Sequence, residues 1–322
     1  MSAVQLLVLA RDDHPALPLL RHLPADTGMV SGGSAGAFGR HAAEADAILV
    51  CHTSLELVRQ VWRVAPSIRW VHTLSAGLDN VLFPELIESP AILTNARGIY
   101  SPSLAEFAIG SVLYFAKDFR RMLRNQAVSL WERMTVEDVR GRTLGIVGYG
   151  SSGEAVARLA KPLGMRILVL RARPQLSEHD PLVDEVFGTS ARLEMIPRCD
   201  YLVIAAPLTA ATRRLIGREE IGAMRRNAVI INVGRGEVVD EEALVTALTQ
   251  RFIRGAALDV FEVEPLPVGH PFYRLENVLL SPHSADHTVD SVERSTGLFL
   301  ENHRRFLRGE PLLNLVDKQR GY

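Results

Sequence analysis

Several features that often fix a protein's class are scarce in this 322-residue sequence. There are only two cysteines, Cys51 and Cys199, each inside an apolar strand-like run. Buried free thiols are the simpler reading, and they suit a reducing, cytoplasmic compartment. Charge of one sign is not in excess either, with 36 Lys and Arg against 37 Asp and Glu. Without a global field to draw the chain onto nucleic acid or an anionic membrane, any basic site must be local. No apolar run reaches the roughly 20 residues that span a bilayer. The apolar run from Val4 to Ala10 has no basic leader and is stopped by "RDDHP", so it reads as a first strand and not as a signal peptide. Short repeats and low-complexity tracts are missing as well.

What is present is an ordinary globular balance, 47% hydrophobic and 23% charged, over a length that suits two domains at about 100–200 residues each. Short β-rich runs alternate with helical stretches, which argues for parallel α/β sheets. A first series comprises "VQLLVLA" (4–10), "AILVC" (47–51), "IRWVHT" (68–73) and "AILT" (91–94). A second comprises "TLGIV" (143–147), "RILVL" (166–170), "YLVIAA" (201–206), "AVIINV" (228–233), "AALDVF" (256–261) and "NVLLS" (277–281). Between them lies a helix-like stretch beginning "SPSLAEFAIGSVLYFAK", with Ser101 as expected N-cap and Pro102 at N1. Its apolar face suits a linker helix or a dimer surface. One more helical segment is expected at 286–308, with no strand after it.

Gly148, Gly150 and Gly153 form G-x-G-x-x-G between a strand and a helix. In that setting the first glycine makes the turn, the second admits a pyrophosphate, and the third lets helix and strand pack closely. The helix start at Ser151 and Ser152 adds N–H groups and partial positive charge. A dinucleotide site follows. Where an acidic residue normally accepts hydrogen bonds from the adenosine ribose, the chain has Arg171, with Arg173 behind it. A guanidinium accepts nothing and matches a phosphate, so the pair reads as clamps for the 2′-phosphate of NADP. Two solvated surface arginines are the bland alternative.

Ligands of open α/β sheets bind beyond the carboxyl ends of the strands. Arg235, Glu264 and His283 follow the fourth, fifth and last strands of the second series and should converge there. His283 has the side chain whose ordinary pKa, roughly 6.5, suits proton delivery to a developing alkoxide. Glu264 can orient an imidazolium, and Arg235 offers a planar fork for a 2-oxo carboxylate.

With these residues in view, the chain resembles the D-isomer-specific 2-hydroxyacid dehydrogenase family. The resemblance is carried by "LSAGLDN" (74–80), "NARGIYSPSLAE" (95–106), the stretch 141–165 around the glycines, "APLTAATRRLI" (206–216), "NVGRGEVVDEEAL" (232–244), "LDVFEVEPLP" (258–267) and "LSPHSA" (280–285). It implies that Arg235 binds and polarises substrate, that Glu264 partners His283, and that His283 is the acid/base. It also implies that Asp259 and Pro207 lie beside the cofactor and that backbone N–H groups of Ser75, Ala76 and Gly77 bind the substrate carboxylate. The implied architecture is a Rossmann domain at 99–285 and a flavodoxin-like substrate domain from 1–98 plus 286–322, paired as a homodimer.

Arg171 is similar to the glyoxylate and hydroxypyruvate reductase branch, which favours NADPH over NADH. The expected reaction is therefore reduction of a small 2-oxo acid. A cofactor-sensing, partner-binding protein of corepressor type is the alternative. Beyond this set, His52 and His72 could face the cleft, although core or rim positions are commoner for histidine. Trp131 could wall the substrate pocket across a dimer contact, although a packed or half-exposed aromatic is the commoner case; "RRMLR" (120–124) is expected as a solvated helix face, and His287 outside any metal site.

Overall fold

The computed structural model describes residues 4–322 and divides into two compact units. One runs to Tyr100 and resumes at Thr288–Tyr322; the other is Ser101–His287. The first holds β1 (Val4–Leu9), β2 (Thr27–Gly32), β3 (Ala47–Val50), β4 (Trp70–Thr73) and β5 (Ile92–Asn95). The second holds β6 (Thr143–Val147), β7 (Arg166–Leu170), β8 (Glu185–Phe187), β9 (Tyr201–Ile204), β10 (Val229–Asn232), β11 (Gly255–Leu258) and β12 (Val278–Leu280).

The five-stranded sheet has the order β2-β1-β3-β4-β5, and the seven-stranded sheet the order β12-β11-β10-β9-β6-β7-β8. Every pairing within them is parallel. These are the flavodoxin-like and Rossmann orders, with the chain reversing direction across the larger sheet between β6 and β9. The central strands are continuous Val/Ile/Leu runs because helices cover both faces. Alternation sends Leu144, Ile146, Val169 and Val203 into one apolar cluster and Val147, Leu168, Leu170 and Ile204 into the other.

Register sets the site. Phe187, Leu170, Val147, Ile204, Asn232, Leu258 and Leu280 lie on one line of partners across the larger sheet. Each loop at the carboxyl edge therefore starts from the same level.

Some expectations need correction. Strands β2 and β8 were not anticipated: "TGMVSG" is glycine-rich and "EVF" is three residues, and both are edges with one partner. The expected strands at 201–206, 228–233 and 256–261 stop earlier, because their last residues turn out as edge loops. The final helix is Ser291–Arg308, later than 286. It packs Phe299 and Leu300 into the first unit's core beside Trp70.

The helix after Tyr100 is Ser101–Ala116, so Ser101 is its first residue and not its N-cap. Its apolar face is used within its own unit, where Ala105, Ala108, Val112 and Phe115 join the core with Val156 and Ala157. The exposed apolar side chains lie further on, at Leu123, Val128, Leu130 and Trp131. Trp131 is neither packed nor half-exposed: it is 95% exposed.

Candidate active site

The glycine loop leaves β6 at Gly148, whose φ of +90° suits a residue without a Cβ. A Cβ there would lie 2.5 Å from Ala206 Cα, and one on Gly153 would lie 2.3 Å from Gly148 O. These two glycines have reasons inside the protein. Gly150 does not: a Cβ on it would meet nothing within 4 Å among the described residues. Open room above backbone at the start of helix Ser151–Ala160 fits a pyrophosphate, so the loop passes the test for a dinucleotide cradle.

Ser152 Oγ lies 3.2 Å from Ser101 Oγ. Arg171 follows the last residue of β7 and gives a guanidinium N–H to Ser177 Oγ. Arg173 stands two residues on, half-buried, before the short 3-10 turn Pro174–Ser177. Pro207 is exposed beyond the end of β9 and its carbonyl accepts the Thr212 hydroxyl at 2.6 Å.

Arg235 lies three residues past β10. Asn232 closes the turn that carries it, accepting Gly234 N–H at 3.1 Å and donating to Arg235 O at 3.0 Å. The next residue, Gly236, is pressed so closely on Phe261 that a Cβ would sit 1.9 Å from its carbonyl carbon. The Arg235 turn is thus fixed against the loop that carries Glu264.

Glu264 Oε1 accepts Phe261 N–H at 3.0 Å, and Oε2 lies 2.6 Å from His283 Nδ1. Glu241 braces the same loop, accepting Glu262 N–H at 3.1 Å while lying 3.3 Å from His270 Nε2. Burial alone would raise the Glu264 pKa, but the His283 hydrogen bond, the Phe261 N–H and the charges of His283 and Arg235 reverse that and lower it. The His283 pKa is raised, chiefly by the Glu264 hydrogen bond against the effect of burial, with Glu264 and Asp259 charges adding and Arg235 opposing. Arg235 thus acts electrostatically on both partners, so the three sequence-predicted residues are brought together.

His283 has a φ of +52°, a left-handed conformation uncommon outside glycine. Asp259 over-determines it. This buried carboxylate accepts Ser281 Oγ at 2.5 Å, Ser284 N–H at 2.9 Å and Ala285 N–H at 3.0 Å on one oxygen. Its own carbonyl accepts His283 N–H at 2.9 Å. Strain held this firmly is characteristic of functional positions.

Sequence reasoning missed Asn232, Glu241, His270 and Ser281, and gave Asp259 no part in shaping the His283 turn. A buried Asn or Asp at a strand end was the available signal.

In the first unit, Ser75, Ala76 and Gly77 follow β4. Tyr100 hydroxyl, Ala96 N–H and Asn95 Nδ2 bond the carbonyls of Leu74, Ser75 and Ala76 at 2.5, 3.0 and 2.7 Å. Ser75 N–H is taken by Thr73 Oγ1 at 3.2 Å. His72 is wholly buried and belongs to the core. His52 is exposed, and its Nδ1 lies 3.4 Å from His14 Nε2.

An arrangement of raised-pKa histidine, carboxylate partner, nearby guanidinium and glycine cradle can hold a dinucleotide, grip an anion and deliver a proton. Residues 109–285 match the family model described as D-isomer specific 2-hydroxyacid dehydrogenase, NAD binding domain. A glyoxylate reductase of Korarchaeum cryptofilum is 36% identical over 272 residues, covering 81% of this chain and 79% of that one. The crystal structure of a D-isomer specific 2-hydroxyacid dehydrogenase from Xanthobacter autotrophicus, in complex with NADPH and MES, has a TM-score of 0.84 at 28% identity and full coverage of both chains. An NADPH-dependent glyoxylate/hydroxypyruvate reductase from Sinorhizobium meliloti, with NADP and malonate, has a TM-score of 0.82 at 26% identity, covering 99% of this chain and 98% of that one.

Proposed function

Because the chain belongs to the D-isomer-specific 2-hydroxyacid dehydrogenase family, and so is an NAD(P)-dependent oxidoreductase, we propose that it reduces a small 2-oxo acid to the 2-hydroxy acid. Glyoxylate and hydroxypyruvate are the expected substrates, NADPH the preferred cofactor and NADH a weaker substitute. The observation that carries this reading is the 2.6 Å contact of His283 with Glu264 under the charge of Arg235.

The bound cofactor supplies the hydride. His283, held protonated by Glu264, gives its proton to the oxygen of the 2-oxo carbonyl as that oxygen gains charge. Glu264 accepts from Nδ1, which leaves the Nε2 proton for the substrate. Arg235 pairs with the substrate carboxylate and polarises the adjacent carbonyl. Of the first-unit loop, Ala76 and Gly77 N–H groups are the carboxylate donors, because Ser75 N–H is committed to Thr73. Gly148, Gly150, Ser151, Ser152 and Gly153 cradle the pyrophosphate, Arg171 and Arg173 take the 2′-phosphate, and Asp259 and Pro207 border the nicotinamide side.

The unit Ser101–His287 is then the cofactor domain, and the other unit is the substrate domain. The same reading includes a homodimer in the cytoplasm. In its support, Leu123, Val128, Leu130 and Trp131 form an exposed apolar stretch, and burial pushes the Cys51 and Cys199 thiols up to about 12. Size-exclusion chromatography with light scattering measures the assembly.

The test is cofactor oxidation, NADPH and NADH in parallel, against glyoxylate, hydroxypyruvate, pyruvate and phenylpyruvate. Turnover with an NADPH preference is expected. Tight cofactor binding without turnover of any 2-oxo acid would overturn the reductase reading in favour of a cofactor sensor.

A further inference from the structure

Tyr149 stands between the first two glycines of the loop, a position the glycine pattern leaves open. It is nonetheless buried, and its hydroxyl donates to Asp180 Oδ2 at 3.0 Å. Asp180 is itself locked into the turn after β7. Its Oδ1 accepts Leu182 N–H at 2.9 Å, its N–H donates to Ser177 O at 3.2 Å, and its carbonyl accepts Val183 N–H at 3.0 Å. Ser177, 3% exposed, is the residue whose hydroxyl receives the Arg171 guanidinium. Arg171 closes the circuit, with its guanidinium carbon 5.9 Å from the centre of the Tyr149 ring.

Four side chains from three segments thus form a ring: Tyr149 to Asp180, through the turn to Ser177, to Arg171, and back over the Tyr149 ring. An arginine side chain is long and loses considerable rotamer freedom when it grips a ligand. Fixing it beforehand removes that cost from binding. The ring face supplies cation–π attraction, and the buried serine hydroxyl accepts one guanidinium N–H, so two contacts of different kinds fix the side chain. Burial and the Asp180 hydrogen bond both push the Tyr149 phenol up, in keeping with its place as the donor in this contact.

We infer that Tyr149, Asp180 and Ser177 are positioning residues that hold Arg171 for an adenosine 2′-phosphate. Discrimination between phosphorylated and unphosphorylated dinucleotides is then built into the glycine loop as well as into the cation. This rests on the NADPH reading above and extends it to residues that need not touch the phosphate.

The test avoids turnover. Calorimetry on the full chain measures affinity for 2′,5′-ADP and for 5′-AMP, which differ in the phosphate at issue. The parent is expected to prefer 2′,5′-ADP. Tyr149→Phe, which keeps the ring and loses the Asp180 bond, and Ser177→Ala should each narrow that preference by about threefold to tenfold, as expected for loosening one charged contact. Affinity for 5′-AMP should hold. If Tyr149→Phe fails to fold, Asp180→Asn keeps an oxygen for Leu182 N–H and weakens the same tyrosine contact. A parent preference that survives in all the folded variants overturns the positioning role and leaves the NADPH reading intact. A parent without preference overturns the NADPH reading, and the positioning role with it.

Discussion

His283 Nδ1 and Glu264 Oε2 lie 2.6 Å apart, the histidine in the turn after β12 and the glutamate in the loop after β11. The histidine pKa is raised and the glutamate pKa lowered by this contact. A raised histidine contributes stability below its unfolded pKa, lost as pH rises through the folded one. A depressed carboxylate contributes stability above its unfolded pKa, lost as pH falls through the folded one. The contact therefore widens the pH range over which the charged pair persists. For reduction the protonated histidine is the active form, so kcat/KM should fall as pH rises through the raised histidine pKa, later than it would for an unpaired histidine. Glu264→Gln should move that alkaline limb to lower pH, and a pH profile checks it. His283→Ala should lower turnover by about 10²–10⁴-fold with cofactor affinity retained.

Asp259 shapes the His283 turn by accepting from Ser281, Ser284 and Ala285 on a single oxygen. Asp259→Ala leaves buried donors unmet, at about 1–3 kcal/mol for each one that water does not reach. Thermal melts should show that loss together with a fall in kcat. Asp259→Asn keeps the acceptor and removes the charge that helps raise the His283 pKa. It should refold the turn while shifting the alkaline limb downward, which separates the structural part of Asp259 from the electrostatic one.

Arg171→Asp replaces a donor fork with a carboxylate that repels a 2′-phosphate and suits a ribose hydroxyl. The ratio of kcat/KM for NADPH over NADH should drop by on the order of 10², the value of a lost charge-assisted contact. Steady-state kinetics with both cofactors reads this directly. An unchanged ratio would make Arg171 a bystander.

Which parts of the molecule were readable from sequence follows from the range of the interactions involved. The glycine loop, Arg235, Glu264 and His283 were legible because each sits a short, fixed distance past a strand, and parallel register brings strand ends level. The edge strands β2 and β8 were not, since a strand with one neighbour and little apolar content carries no pattern. Tyr149 and Asp180 are 31 residues apart and meet only through the turn after β7, which no local periodicity announces. The exposure of Trp131 was hidden for a related reason: an aromatic in a polar stretch reads as packed unless its surroundings are known.

His72 and His303 supply a final test, on stability rather than activity. Trp70 Nε1 donates to Thr94 Oγ1 at 2.8 Å, so the Thr94 hydroxyl turns its proton to His72 Nδ1 at 2.7 Å. His72 is therefore neutral, with its proton on Nε2, which has no hydrogen-bond partner among the described residues. Burial lowers its pKa to about 3, and burial likewise lowers that of His303 to about 4. Both pack against Phe299 of the last helix. In the unfolded chain each binds a proton near pH 6.5, long before it does in the fold. Their contribution is complete above that pH and falls as pH drops toward 4 and then 3, by up to about 1.4 kcal/mol per pH unit for each group. Denaturant titrations from pH 7 to 4 should show this slope. His72→Leu lowers stability at pH 7 by losing the Thr94 bond, yet it should flatten the acid slope by the share of one histidine. A variant that falls in parallel with the parent would place the acid sensitivity elsewhere, in the carboxylates.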